Sequence, residues 1–316
     1  MAVFTFIIPH YNVPTLLLRC LASIPKREDI QILVIDDGSP EIDQYPGRYP
    51  ELFRSGVTWI YGSHGGAGHA RNLGLAKAEG KWLLFADSDD FFTDELPDFL
   101  DENADASEDI IFFRNKCVLS EHPEREARRD QWIDNMFNRY AASGNPDELR
   151  FTHCTPWGKM IRRSLVEAHG IRFDELPYCN DMYFSVLVGS KVGSVGVDNR
   201  CLYVLTQREG SLTSNFGRKP GELELRTNVA IRVQKVMNAC GYRCPYPPVP
   251  RLMSMMIHSD RPLYRRFFKR IPEVYDSYWV ALKELAGREK GFLNKVKLYA
   301  YSLYAMLAPA PKDVQS

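Results

Sequence analysis

Two apolar runs, each closed by a polar turn, constrain this chain most. Val3-Phe4-Thr5-Phe6-Ile7-Ile8 runs into Pro9-His10-Tyr11-Asn12, and Ile30-Gln31-Ile32-Leu33-Val34-Ile35 runs into Asp36-Asp37-Gly38-Ser39. Both are short, rich in β-branched residues and free of charge, the pattern of strands covered on both faces. Thr15 to Ser23, between them, has helical spacing. The order predicts a βαβ unit whose two strands lie parallel. Val57–Tyr61 and Lys81–Ala86 predict two further strands, with a helix over Ala70–Ala78. The expected fold class is α/β, a Rossmann-like, mostly parallel sheet flanked by helices, whose ligands bind beyond the carboxyl ends of its strands.

After residue 110 the pattern loosens. Ile110–Arg114 predicts a strand, residues 121–150 a charged loop and helix, and Trp157–His169 and Asp181–Gly189 two helices. From Gly217 the chain reads as mainly helical, interrupted by the proline-rich Cys244–Pro250. This predicts a domain over residues 1–216, with halves of about 1–110 and 111–216, and a helical C-terminal region over 217–316.

The 316 residues hold 40 Lys plus Arg and 40 Asp plus Glu, a net charge of zero. A bulk polyanion binder needs a basic surplus, so nucleic acid is not an expected partner. The zero hides a gradient: residues 1–110 carry 8 basic against 19 acidic residues, a net of −11, which leaves +11 for residues 111–316. Seven scattered cysteines indicate neither a disulfide framework nor a zinc site, which suits a reducing cytoplasm. Met1–Ile8 lacks a basic n-region and meets Pro9, so it reads as a strand rather than a signal peptide. No apolar run reaches the ~18 residues that a membrane span requires.

Chemistry concentrates at the strand ends. Asp87-Ser88-Asp89-Asp90 sets three carboxylates in four residues behind a buried strand. They repel unless a cation compensates, so a hard divalent metal bridging to phosphate explains them, and an N-cap with solvated acids explains them too. Gly65-Gly66-Ala67-Gly68 opens a helix, where bare backbone and the helix N-terminus favour anions. It is not the dinucleotide fingerprint, which would follow the first strand. His10, His64 and His69 lie nearby without metal-binding spacing.

Pro-His-Tyr-Asn after the first strand, Val-Ile-Asp-Asp-Gly-Ser after the second, Gly-Gly-Ala-Gly-His-Ala-Arg-Asn-Leu-Gly before a helix and Ala-Asp-Ser-Asp-Asp after the fourth strand together resemble the family 2 glycosyltransferases of the GT-A fold. The resemblance continues through Trp157–Arg163, Ile171–Phe173 and Asn180–Phe184 to Gln207–Ser211, about two thirds of the chain. It implies an inverting enzyme that moves a sugar from a nucleotide-diphosphate donor, a UDP-sugar above all, to a saccharide or lipid-linked acceptor in surface polysaccharide or glycolipid assembly. Residues 1–110 would form its nucleotide-sugar half and residues 111–216 its acceptor half.

The resemblance also implies roles. Pro9 and Tyr11 would line the nucleobase pocket, Tyr11 by stacking, and Asp37 would accept the uracil N3 proton. Asn12, Gly68, Arg71 and Ser88 would belong to the nucleotide-sugar site, Asp87 would approach the ribose, and Asp89 would ligate Mn²⁺ or Mg²⁺. Asp181 would be the base, at the carboxylate pKa of ~3.9 expected of an ordinary Asp; the same residue would also serve as a helix N-cap. Asn180 stands where the family commonly has Glu and would touch the acceptor. Read from its own chemistry, Trp157 would either pack against an acceptor sugar or be a buried aromatic. Arg208 would either close over the diphosphate or be a solvated surface arginine.

Between Arg261 and Lys297 lie ten basic and four acidic residues, a net of +6. Phe292, Leu293, Val296, Tyr299, Ala300, Leu303 and Leu307 then share a helical face. The helix would either lie in a membrane interface over residues 291–308 or pack on the domain. Localisation is therefore expected to be cytoplasmic or peripheral on the inner membrane face. The competing functions are a sugar nucleotidyltransferase, whose Gly-rich basic signature after the first strand is missing, and a non-enzymatic saccharide-binding module.

Overall fold

A computed structural model describes residues 2–128, 131–207, 219–288 and 292–307. The chain divides into two compact units, Met1–Ser214 and Asn215–Ser316. In the first unit β1 (Phe4–His10), α1 (Pro14–Ala22), β2 (Ile30–Asp36), the single-turn α2 (Tyr45–Arg48), β3 (Val57–Tyr61), α3 (Gly66–Leu75) and β4 (Trp82–Phe85) follow in order. Next come β5 (Phe91–Phe92), α4 (Leu96–Asn103), β6 (Ile110–Leu119), β7 (Glu126–Ala127), α5 (Gln131–Ser143) and α6 (Asp147–Thr152). The unit ends with β8 (Lys159–Arg162), α7 (Arg163–Ala168), α8 (Met182–Lys191) and β9 (Val195–Gln207).

The strand order is β3-β2-β1-β4-β8-β6-β9-β5, with β7 hung on β6. The first four strands are mutually parallel, so His10, Asp36, Tyr61 and Phe85 all finish on one edge. Beyond β4 the sheet is mixed: β8 runs antiparallel to β4 and β6, and β9 returns parallel to β6. All of β1 is buried, which accounts for its unbroken apolar run. Pro9 fits this central strand because of where its missing N–H falls. Ile7 accepts a hydrogen bond from Ala86 on the β4 side, and His10 accepts one from Asp37 on the β2 side. Alternation turns Pro9 toward β4, beyond the last β1–β4 pair at Ile7 and Phe85, so no ladder bond is lost.

One expectation is corrected here. The Trp157–His169 segment is not one helix: Lys159–Arg162 is strand β8, seated between β4 and β6, and only Arg163–Ala168 is helical. The pairing partners lie some 50 and 80 residues upstream, and sheet pairing over such distances overrides local spacing. Arg162 helps to seat β8, with its guanidinium 4.6 Å from the Trp82 ring centre and hydrogen bonds to the Ala106 and Glu108 carbonyls.

The second unit is helical: α9 (Glu222–Ala239), α10 (Pro248–Ser259), α11 (Arg261–Phe268), α12 (Tyr278–Arg288) and α13 (Phe292–Leu307). The proline-rich stretch ends by placing Pro248 at the start of α10, where a missing N–H costs nothing. Asp260 caps α11 by accepting from Leu263 N–H at 2.9 Å. Met253, Met256, Tyr264, Phe268, Leu282 and Leu285 centre a hydrophobic core separate from that of the first unit. Among the described residues no helix is long and apolar enough to cross a membrane.

Candidate active site

The parallel strand ends deliver their polar turns to one edge, and hydrogen bonds tie the turns together. Asp36 Oδ2 accepts from the Gly38 and Ser39 N–H groups, and Ser39 Oγ accepts from the Asn12 N–H at 2.8 Å. Asn12 is held at a φ of 51°, a left-handed conformation that asparagine tolerates. Asp37 is buried, and its carboxylate accepts from the Gly65 N–H (2.8 Å) and Gly66 N–H (2.9 Å) at the start of α3. An anion at a helix N-terminus is favourable, so Asp37 fixes the glycine loop relative to β2. Tyr11 is 45% exposed, and its ring centre lies 4.7 Å from that of His64. His10, by contrast, is buried against the edges of Tyr45 and Trp59, and burial lowers its pKa to about 4 despite the nearby Asp36.

The acidic turn after β4 divides into carboxylates with different tasks. Asp90 is buried and accepts from the Tyr203 hydroxyl (2.8 Å) and the Thr206 N–H (2.7 Å). Burial raises its pKa well above the carboxylate range, and Asp89 and Asp87 push it further. Tyr203 Oη also accepts from the Asp87 N–H. The Asp89 carbonyl accepts from Thr206 Oγ1 and from Arg19, both at 2.8 Å, and Arg19 also holds the Ser120 carbonyl. The turn is thus pinned by β9 and α1 through its backbone and Asp90. Asp87 and Asp89 remain half-buried, whereas Ser88 is buried.

Arg71 joins this turn to the entrance of α8. Only 5% exposed, it donates to Asp87 Oδ1 at 2.6 Å and to Asn180 Oδ1 at 3.0 Å, with its guanidinium 5.4 Å from the Phe173 ring centre. Asp181 follows at the N-cap of α8, yet its side chain makes no capping hydrogen bond. Burial raises its pKa, Arg71 opposes that rise, Asp87 adds to it and Lys159 opposes it. Lys159 is itself buried on β8, donates to the His153 carbonyl at 2.6 Å and has its pKa lowered by burial to about 7.

The sequence profile of glycosyl transferase family 2 matches residues 5–170, more than half of the chain and all four parallel strands. The chain belongs to that family. A poly(ribitol-phosphate) beta-N-acetylglucosaminyltransferase, TarS of Staphylococcus aureus, is 26% identical over 242 residues, covering 73% of this chain and 40% of that protein. The uncharacterised glycosyltransferase EpsJ of Bacillus subtilis is 26% identical over 221 residues, covering 66% of this chain and 62% of its own. The match therefore spans less than two thirds of either relative. The crystal structure of S. aureus TarS 1–349 in complex with UDP-GlcNAc shares the fold, with a TM-score of 0.64 and 19% identity over 96% of this chain and 89% of that one. The fold is the GT-A type.

Within this family 2 frame the edge brings together Pro9, Tyr11, Asn12 and Asp37 around one loop cluster, and Arg71, Asp87, Asn180 and Asp181 around another. The structure adds to three of these expectations. Trp157 is only 7% exposed and stacks on Tyr203 with ring centres 5.4 Å apart, an arrangement that favours the buried-aromatic reading over contact with an acceptor sugar. Gly68 owes its bareness to the Asp174 carbonyl, which a Cβ would meet at 2.1 Å, so packing of α3 explains it without a phosphate. Asp181 has a raised rather than an ordinary pKa, because burial outweighs its cationic neighbours. Asn180 spends its side chain on Arg71 and on the Leu176 carbonyl. Arg208 lies outside the described residues. Tyr203 and Thr206 on β9, Arg19 on α1 and Lys159 on β8 support the site without having been singled out in the sequence. Only the polar breaks in the apolar runs around them could have signalled it.

Proposed function

We propose that this chain transfers a sugar, with inversion, from a UDP-sugar to a saccharide or lipid-linked acceptor hydroxyl, in surface polysaccharide or glycolipid assembly. The observation that carries this reading is Asp181: a carboxylate at a helix N-terminus, not used as a cap, beside the Arg71–Asp87 pair at the strand-end edge. The name of TarS supports an N-acetylglucosamine donor for the first trial and a phosphate-bearing polyol polymer as one acceptor class.

Asp181 takes the proton of the acceptor hydroxyl as its oxygen bonds to the anomeric carbon. The bond from that carbon to the diphosphate oxygen breaks on the opposite face, and UDP leaves with the electron pair. The raised pKa, which burial causes, makes the Asp181 carboxylate a stronger base than an ordinary aspartate. Tyr11 offers an exposed ring for nucleobase stacking beside Pro9 and Asn12, with Asp37 as the acceptor for the uracil N3 proton. Arg71 holds Asp87 in place for the ribose next to Ser88, and Arg208 is assigned to the diphosphate.

Asp89 is the residue proposed for Mn²⁺ or Mg²⁺. Among the described residues no three His, Cys, Asp or Glu side chains converge on a metal-sized point. A cation here would accordingly be completed by donor phosphates, as Mg²⁺ commonly is, and the all-oxygen donor set fits a hard ion. When bound, it would neutralise charge developing on the leaving diphosphate.

The test is UDP release from a panel of UDP-sugars with Mn²⁺ or Mg²⁺, comparing the wild type with Asp181→Asn and Asp89→Ala. Asp181→Asn should lose about 10²–10⁴-fold in turnover with UDP affinity unchanged by calorimetry. Asp89→Ala should lose the metal-dependent part of UDP binding. Absence of release from every donor would favour the saccharide-binding module, and retained turnover in Asp181→Asn would refute the base.

A further inference from the structure

The helical unit holds a cleft that the transfer reaction does not use. It has a volume of about 410 Å³ and lies among α10, α11 and α13. Its floor is apolar, made by the buried Ile257 and Leu298, and its rim carries three basic side chains, His258, Arg261 and Lys297, all exposed. Arg261 stands at the first turn of α11, with its guanidinium 5.6 Å from the Tyr301 ring centre, and Tyr301 Oη donates back to the Arg261 carbonyl.

α13 is already seated in its own unit. Leu298, Ser302 and Ala305 form its buried stripe, and Ser302 Oγ shares a 2.6 Å hydrogen bond with the Tyr264 hydroxyl of α11. The opposite face nevertheless stays apolar, with Leu303 45%, Tyr304 53% and Leu307 86% exposed. The side chains of Phe292, Leu293 and Val296, expected on an apolar face, lie outside the described residues. Lys297 lies on the same exposed face as Tyr304, two helical turns earlier. The sequence of α13, FLNKVKLYAYSLYAML, contains no acidic residue.

We infer that the α10–α11–α13 cleft and the outward face of α13 form a docking site for an anionic phospholipid surface, with a headgroup phosphate between Arg261, Lys297 and His258 and with Leu303, Tyr304 and Leu307 against the acyl boundary. Charge complementarity selects this occupant. Residues 215–316 hold 18 basic and 8 acidic residues, a net of +10, so the unit is attracted to an anionic leaflet. The apolar face then separates a bilayer from a soluble polyanion, for which exposed leucines would be of no use. Because no described helix can span a bilayer, the mode is interfacial. The inference is independent of the donor assignment.

Flotation of the full chain with phosphatidylcholine vesicles, with and without about one third phosphatidylglycerol, tests it. The wild type should float with the anionic vesicles, at least tenfold more than with neutral ones, and less at high salt. The double variant Leu303→Asp/Leu307→Asp alters only exposed side chains and should lose at least tenfold in bound fraction. Arg261→Glu/Lys297→Glu should lose the preference for anionic vesicles. Circular dichroism confirms folding, and UDP release by the variants in vesicle-free buffer should match the wild type. Equal flotation of the wild type and the leucine variant would overturn the site, as would equal binding to both vesicle types. Retention on heparin without flotation would assign the basic surface to soluble polyanions and overturn it as well.

Discussion

Asp181 occupies the N-cap of α8 without capping it, and this separates two accounts of one carboxylate. If capping were its task, Asp181→Ala would cost about 1 kcal/mol. The geometry gives the opposite expectation. A carboxyl whose folded pKa is raised contributes stability below its unfolded pKa of about 3.9, and loses that contribution as pH rises through the folded value. At neutral pH Asp181→Ala should hold or raise Tm while abolishing transfer, which a thermal melt beside a turnover assay checks. The same shift fixes the pH profile: kcat/KM should fall as pH falls through the raised pKa of Asp181, with its acid limb above the ordinary carboxylate value. Lys159 pulls that pKa down, so Lys159→Met should move the limb to higher pH, and an unmoved limb would place the titrating base elsewhere. Asp87 and Asp89 drew notice in the sequence because they close the fourth apolar run, whereas Asp181, which opens a helical segment, was reached only through the family resemblance. The pKa shift was not legible there, since it arises from burial and from Arg71 and Lys159, which lie 110 and 22 residues away.

At the scale of elements, the legible parts were those with local causes. β1, β2, β3 and β4 are unbroken apolar or alternating runs closed by turns, and their parallel order follows from the crossovers. β8 and β9 were missed because their strand character is set by partners far along the chain, and β9 carries Tyr203 and Thr206, which hold the acidic turn. Tyr203→Phe removes a hydroxyl that both donates to Asp90 and accepts from the Asp87 N–H. Taking one of two donors from the buried Asp90 carboxylate and the acceptor from the Asp87 N–H should cost about 1–3 kcal/mol and weaken UDP binding, whereas an unchanged Kd would detach β9 from the donor site. α3 offers a second check. Gly68→Ala drives a methyl into the Asp174 carbonyl, and overpacking of this kind costs about 1–3 kcal/mol. Gly47→Ala meets nothing within 4 Å and serves as the control in denaturant titration. Equal midpoints for the two variants would mean that the α3 loop yields freely.

For the whole molecule, the charge gradient visible in the sequence follows the division into two units. Met1–Ser214 carries 22 basic and 32 acidic residues, a net of −10, and Asn215–Ser316 carries +10. Composition does not show why the division exists; the two hydrophobic clusters do, one built on the sheet and one on α9–α13. A folded unit with its own core can unfold as its own cooperative step. Calorimetry of the full chain should therefore show two transitions. UDP at a hundred times its Kd stabilises the unit that binds it by about 2.7 kcal/mol, which for some 200 residues corresponds to a rise of roughly 5–10 °C. Only one transition should move, because every residue proposed for the nucleotide lies before residue 215. Asp181→Asn should preserve that shift, since the base meets the acceptor hydroxyl rather than the nucleotide, whereas Asp89→Ala should reduce it in the presence of Mn²⁺. A shift of both transitions would show that the two cores melt together, and a shift of neither would remove UDP as the donor nucleotide.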